Sequence, residues 1–277
     1  MSDPFRAAQR VLDELGINDP KDLALLDLIA WERGALVRQI PLPLDGAEAR
    51  LSVVGRRAII TVSTYIEDPR RRRFSAAHEL GHLEMHHRTT PLTLCLSEDI
   101  NDWGSHPSGV NLEREANEFA SALLLPERFF AHLCQEREPS LDYISQLAHT
   151  FNVSLTATAL RYLQFSDEPL AVVFSQDSQI KWFWGSRDFQ ELREDLGVFV
   201  DVRSRLDHSS HAARFFQGES VPMGPKPVDA SAWFLPGRYR SDATIQEESV
   251  AMPTYNAVLT LLWVDEDIEQ ESDFLWP

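Results

Sequence analysis

The chain has 277 residues, 43% of them hydrophobic and 25% charged, with a formal net charge of −17 at pH 7. That length allows one large domain or two ordinary ones, and the charge opposes non-specific attraction to nucleic acid or to anionic membranes. Cys95 and Cys134 make neither a C-x-x-C motif nor a disulfide framework, MSDPFRAAQR lacks a basic-then-apolar signal pattern, and VLTLLWV (258–264) is too short to span a bilayer, so the expectation is a cytoplasmic protein with no membrane partner.

Two helices are expected first, Pro4 to Leu15 and Pro20 to about Arg33. Asp3-Pro4 and Asp19-Pro20 each read as an N-cap followed by the first helical position, and Gly16 and Gly34 read as stops. ARLSVVGRRAIITVS, 49–63, carries two short apolar runs around Gly55-Arg56 and predicts a β-hairpin. Asp68-Pro69 opens a third helix, which Pro91 limits. SEDINDWGSHPSG, 97–109, is rich in turn formers. Asn111 then caps LEREANEFASALLLP, a strong helix that Pro126 ends, with Ala116, Phe119, Ala120, Leu123 and Leu124 at helical spacing. Residues 139–164 predict two short helices with a turn near Asn152-Val153-Ser154. After Pro169 the texture changes: LAVVF, QIKWFW and AVLTLLWV read as strands. The tail from Asp265 to Asp273 is acidic without a basic residue and reads as solvated.

The third helix holds RRRFSAAHELGHLEMHH, 71–87, with four of the nine histidines. His78-Glu79-Leu80-Gly81-His82 is H-E-x-x-H. Residues four apart share a helix face, so both imidazoles can reach one ion. Glu79, displaced by about 100° around the helix, can stand beside the water on such an ion without being a ligand. Zn²⁺ lowers the pKa of that water towards ~7, and Glu79 would take its proton and pass it to the leaving amine. The bland alternative is a surface helix with two hydrated histidines. Phe74, Ala77 and Met85 near the same face argue that it is covered. On the next helix Glu113 shares a stripe with Ala116, Asn117 and Ala120. Small residues there permit close approach, and Glu113 could complete a His2Glu site with its fourth position left for water. One turn is about 5.4 Å, too far for a single ion to hold His78, His82 and His86 together. His86 is therefore expected beside the site or solvated, and His87 at the surface.

FSAAHELGH followed about thirty residues later by EREANEFASALLLP resembles the ImmA/IrrE family of zinc metallopeptidases. The resemblance covers about Pro4 to Gln164. In that family the E-x-x-A-N segment supplies the third ligand, which here is Glu113, with Glu115 as runner-up. The resemblance implies an α+β, zincin-like helical metallopeptidase domain with a small β-hairpin or sheet over 1–138 and a helix-turn-helix-like segment over 139–168. A mixed α/β regulatory or sensor domain with the acidic tail fills 169–277, and in the IrrE branch that last domain is GAF-like. It also implies a zinc endopeptidase that cleaves a helix-turn-helix repressor and so derepresses its genes, in mobile-element or DNA-damage responses.

Other features carry competing readings. Residues 139–164 have the cadence of a DNA-reading helix-turn-helix, but their only formal charges are Asp142 and Arg161. Phosphate contacts need several cations, so direct DNA binding is disfavoured against packing or substrate docking. Arg70–Arg73 opposes the macrodipole at a helix start; a solvated face is expected, with pairing to acids of the substrate or of this chain as the alternative. Trp182, Phe183 and Trp184 read as strand residues rather than a ligand cage. His106, His208, His211 and Tyr65 are equally weak candidates for stabilising an oxyanion. A non-proteolytic regulator, with structural zinc closed by Cys95 or His86 and a repressor or anti-repressor as binding partner, is the second hypothesis.

Overall fold

The computed structural model describes residues 3–41, 47–55, 57–85, 92–96, 112–235, 237, 239 and 242–264, with the backbone alone at 47, 54 and 92–96. The chain divides into two compact units, one made of residues 1–131 and 147–157, the other of 132–146 and 158–277. It is a mixed α+β protein with two sheets.

In the first unit α1 spans Pro4–Glu14, and the Asp3 carboxylate accepts from Phe5 N at 3.0 Å. Asp19 accepts from Lys21 N at 2.8 Å but opens a 3-10 turn, Pro20–Leu25, before α2 (Leu26–Glu32). Leu25, at φ −91° and ψ 45°, leaves the helical region. The single helix expected over this stretch is thus two pieces. Strands β1 (Ala35–Ile40), β2 (Ala47–Val54), β3 (Arg57–Ser63) and β4 (Leu92–Leu96) form a sheet in the order β1-β3-β2-β4. β2 and β3 are the expected hairpin around Gly55, whose φ is +64°. β1 pairs parallel to β3, and β4 pairs antiparallel to β2.

α3 (Pro69–Met85) starts where Asp68 accepts from Arg70 N at 2.8 Å. It packs on β2 and β3 and against α4 (Leu112–Leu124). Every residue from Phe74 to His82 is buried, so the hydrated surface helix is excluded. Two short pieces follow α4, α5 (Glu127–Phe130) and a 3-10 turn over Ala131–Gln135. The expected helix pair is present as α6 (Leu141–Phe151) and α7 (Leu155–Tyr162), with Asn152 between them at φ 54°. The division between the units falls within both helices.

The arginine run is not a solvated face. All four side chains are half-buried and bonded within this unit. Arg70 donates to His149 Nδ1 at 2.9 Å, Arg71 grips the Glu48 carboxylate with Nε at 3.0 Å, and Arg72 donates to Ile66 O at 2.7 Å. Arg73 donates to Phe151 O at 2.8 Å, to Asn152 O at 2.9 Å, and to Leu23 O. A guanidinium has five donors in a fixed fork. Arg73 uses them to satisfy carbonyls that the end of α6 leaves open. The cations that oppose the start of α3 thus fasten it to its neighbours.

The second unit is built on an antiparallel five-stranded sheet, ordered β6-β5-β9-β8-β7, from β5 (Leu170–Gln176), β6 (Gln179–Gly185), β7 (Lys226–Asp229), β8 (Thr244–Met252) and β9 (Ala257–Trp263). Ala171, Val173, Val258, Leu262 and Ile245 of one face pack with Phe189 and Leu196 of α8 (Arg187–Leu196), and with Trp233 and Phe234. Glu247 points into this core as a fully engaged carboxylate. It accepts from His211 N at 3.0 Å, Ala212 N at 2.7 Å, Trp233 Nε1 at 2.9 Å and Ser249 Oγ at 2.9 Å. Trp182, Phe183 and Trp184 are half-buried on β6, and Phe174 stacks on Trp182 at 5.3 Å between centroids. Arg161 is buried and lies 4.6 Å over the Phe165 ring. Among the described residues no helix is long and apolar enough to cross a membrane.

Candidate metal centre

α3 presents His78 and His82 one turn apart, with ring centroids 4.7 Å apart and planes at 81°. Their Nε2 atoms stand 3.1 Å from each other. Oε2 of Glu113, from the start of α4, lies 3.0 Å from His78 Nε2 and 3.2 Å from His82 Nε2. Three donor atoms on two helices thus converge on one point. Two donors each ~2.1 Å from a shared ion at a tetrahedral angle stand ~3.4 Å apart, so the cluster needs to open by only a few tenths of an ångström to hold one.

The approach of the two helices is set by small residues. A β-carbon on Gly81 would meet Phe119 Cδ1 at 3.0 Å, and Ala116 Cα and O at 3.2 Å each. Glycine at 81 and alanine at 116 let α4 come close enough for Glu113 to reach both imidazoles. Glu115, in the same helical turn, is not part of the cluster.

Burial holds His78 below its ordinary imidazole pKa, against the raising effect of Glu113. For Glu113, burial pulls upward, but hydrogen bonding and charge from the two histidines outweigh it and hold the carboxyl down to about 2. Neutral imidazole and ionised carboxylate are the protonation states a metal requires. His78 Nδ1 lies 2.9 Å from Asn117 Oδ1 in a wholly buried pair. Sequence reasoning placed Asn117 on the right stripe of α4 without naming this contact. The available signal was its spacing, four residues after Glu113.

Glu79 is fully buried and is not one of the three converging donors. Among the described residues His78, His82 and Glu113 are the one group of His, Cys, Asp or Glu side chains that could hold a metal ion. His86, His87, His106 and the acidic tail lie outside the described residues, as does the Cys95 side chain. Tyr65 is 72% exposed. His208 and His211 lie in the second unit, and nothing there singles either out as a functional group.

Residues 32–163 match the family model Peptidase_M78, described as the IrrE N-terminal-like domain. This stretch, just under half of the chain, is similar to the IrrE N-terminal-like family. The match implies a metallopeptidase-type or IrrE-like regulator, and it supports a zincin-like fold for the first unit. No curated protein matches the chain in sequence. Among solved structures, a Mycobacterium tuberculosis transcriptional regulator matches with a TM-score of 0.56 and 18% identity, over 95% of this chain and 88% of that one. At that identity the likeness is one of fold. The IrrE-like domain thus contains both motifs of the cluster: its boundaries enclose His78, Glu79, His82 and Glu113.

Proposed function

We propose that the chain is a zinc-dependent endopeptidase of the cytoplasm. It cleaves a helix-turn-helix transcriptional repressor and so releases the repressor's genes in a stress or mobile-element response. The observation that carries this reading is the three-donor cluster. Structural zinc sites are closed by four protein ligands, whereas hydrolytic ones have three and an open position. His78, His82 and Glu113 make the two-imidazole, one-carboxylate donor set that hydrolytic zinc sites use.

In this reading those three residues hold the ion, and the IrrE-like family supports zinc as its identity. Bound zinc supplies Lewis acidity towards a peptide carbonyl and towards water. Glu79, adjacent to His78 and about 100° around the helix from it, removes a proton from the attacking water and delivers it to the departing amine. The second unit senses a signal or docks the partner. Support for that part is the family resemblance, together with an antiparallel sheet whose one face is covered by α8 and the segment that follows it.

The test compares the proteome before and after induction of the wild type and of Glu79→Gln. A repressor should become two fragments only with the wild type, while purified Glu79→Gln retains stoichiometric zinc. Normal cleavage by that variant would sink the mechanism. Zinc-loaded wild type that binds a repressor and leaves it intact would favour the non-proteolytic regulator.

A further inference from the structure

A neutral imidazole carries one proton on two nitrogens, and a metal ligand must present the bare one. For His78 the ligand nitrogen would be Nε2, which faces Glu113 and His82. What selects it lies on the other side of the ring. We propose that Asn117 is a positioning residue for the metal centre. Its Oδ1 accepts the His78 Nδ1–H, which keeps the lone pair on Nε2 and fixes the plane of the ring. This inference rests on the reading of His78, His82 and Glu113 as metal ligands.

Three observations carry it. The Asn117 Oδ1 to His78 Nδ1 distance is 2.9 Å, and both residues are fully buried, so water does not compete for either nitrogen-side partner. Asn117 is four residues after Glu113, so one face of α4 brings both the carboxylate and the orienting amide to the same histidine. Asn117 is itself wholly buried on α4. Burying an amide costs about 1–3 kcal/mol unless it is bonded, and the bond to His78 contributes to the compensation.

The amide orientation decides the outcome. With the amide reversed, Nδ2 would donate to Nδ1, and the proton would sit on Nε2. That proton would bond to Glu113 Oε2, 3.0 Å away. The histidine and the carboxylate would then satisfy each other, with no lone pair offered to an ion.

The test uses the full chain. Long-range proton–nitrogen correlation on zinc-loaded wild type reads the His78 tautomer directly, and the proton is expected on Nδ1. Zinc affinity is then measured by chelator competition for the wild type, Asn117→Asp and Asn117→Leu, with thermal melts on each. Loss of such an outer partner typically costs about 10–100-fold in metal affinity, and that loss is expected for Asn117→Leu. Asn117→Asp keeps an acceptor oxygen in place and is expected to bind at least as tightly as the wild type. A proton on Nε2, a folded Asn117→Leu with wild-type affinity, or an Asn117→Asp as weak as Asn117→Leu would each overturn the role of Asn117. If Asn117→Leu does not fold, the tautomer and the Asp variant still decide. Wild-type protein that binds no zinc overturns the metal-centre reading instead, a result distinct from the three above.

Discussion

Gly81 of α3 and Ala116 of α4 pack backbone against backbone: a β-carbon on Gly81 would lie 3.2 Å from both the Cα and the carbonyl oxygen of Ala116. Two magnitudes compete in Gly81→Ala. Alanine gains about 0.8–1 kcal/mol of helix propensity, and overpacking a filled site costs about 1–3 kcal/mol. The contact involves backbone rather than a flexible side-chain end, so the second should win. Gly81→Ala is expected to lower the melting temperature slightly and weaken zinc binding more, because the shift carries Glu113 off the histidines. A variant stabilised by the propensity gain, with unchanged zinc affinity in a competition assay, would show that the helices yield.

Two glutamates share the start of α4, but only Glu113 reaches the cluster. Glu113→Ala should lose most of the bound metal in an elemental analysis after gel filtration, whereas Glu115→Ala should retain it. The opposite pattern would transfer the third ligand to Glu115.

Legibility in the sequence followed local physics. Asp-Pro pairs at 3–4, 19–20 and 68–69 marked element starts because the caps depend on adjacent residues alone, and each aspartate does accept a nearby N–H. The hairpin at 49–63 and strands β5, β6 and β9 announced themselves by apolar runs. β8, TIQEESVAM, did not. It places Glu247 and Glu248 in buried positions, which no pattern of hydrophobic alternation allows, and it does so because distant partners satisfy them. β1 was missed for a related reason. Its parallel partner β3 is more than twenty residues away, and as an edge strand it buries little besides Ala35. The residues of the centre were legible through spacing: H-E-x-x-H for one helix, a small-residue stripe with Glu113 for the other. The arginine run was not, since its partners lie on other elements.

Arg73 makes that point measurable. Burial lowers its pKa to about 10, so it remains charged at neutral pH. Arg73→Met keeps most of the stem and removes the bonds to Phe151, Asn152 and Leu23 carbonyls. Hydrogen bonds to charged groups contribute about 1.5–3 kcal/mol each, so the variant should lose several kcal/mol in urea titration. Arg70→Ala, which loses a single contact with His149 near the surface, should change stability by about 0.5 kcal/mol or less. Equal small effects would return the run to the status of a solvated face.

Glu248 gives a pH dependence within the second unit. It accepts from Leu141 N at 2.7 Å at the start of α6, yet burial, with the charge of Asp142, raises its pKa. The folded state therefore holds a proton that the unfolded chain releases. The stability this contributes is present below pH about 4.5 and is lost as pH rises through the raised value. Glu248→Gln removes the buried charge while leaving an oxygen to accept. It should raise the melting temperature at pH 8 relative to the wild type, and the difference should shrink towards pH 4.5. A difference that grows in acid would reverse the assignment.

The internal engagement of Arg70 to Arg73 also bears on how other molecules meet this one. Those cations are tied to a histidine, a glutamate and backbone carbonyls. What an approaching molecule feels from afar is the acidic excess of a chain with a net charge of −17. Its long-range field draws a cationic protein surface inward and turns a polyanion away, over a screening distance of about 8 Å at physiological salt. Encounter with a basic partner is accordingly fastest in dilute buffer and slows as salt is added.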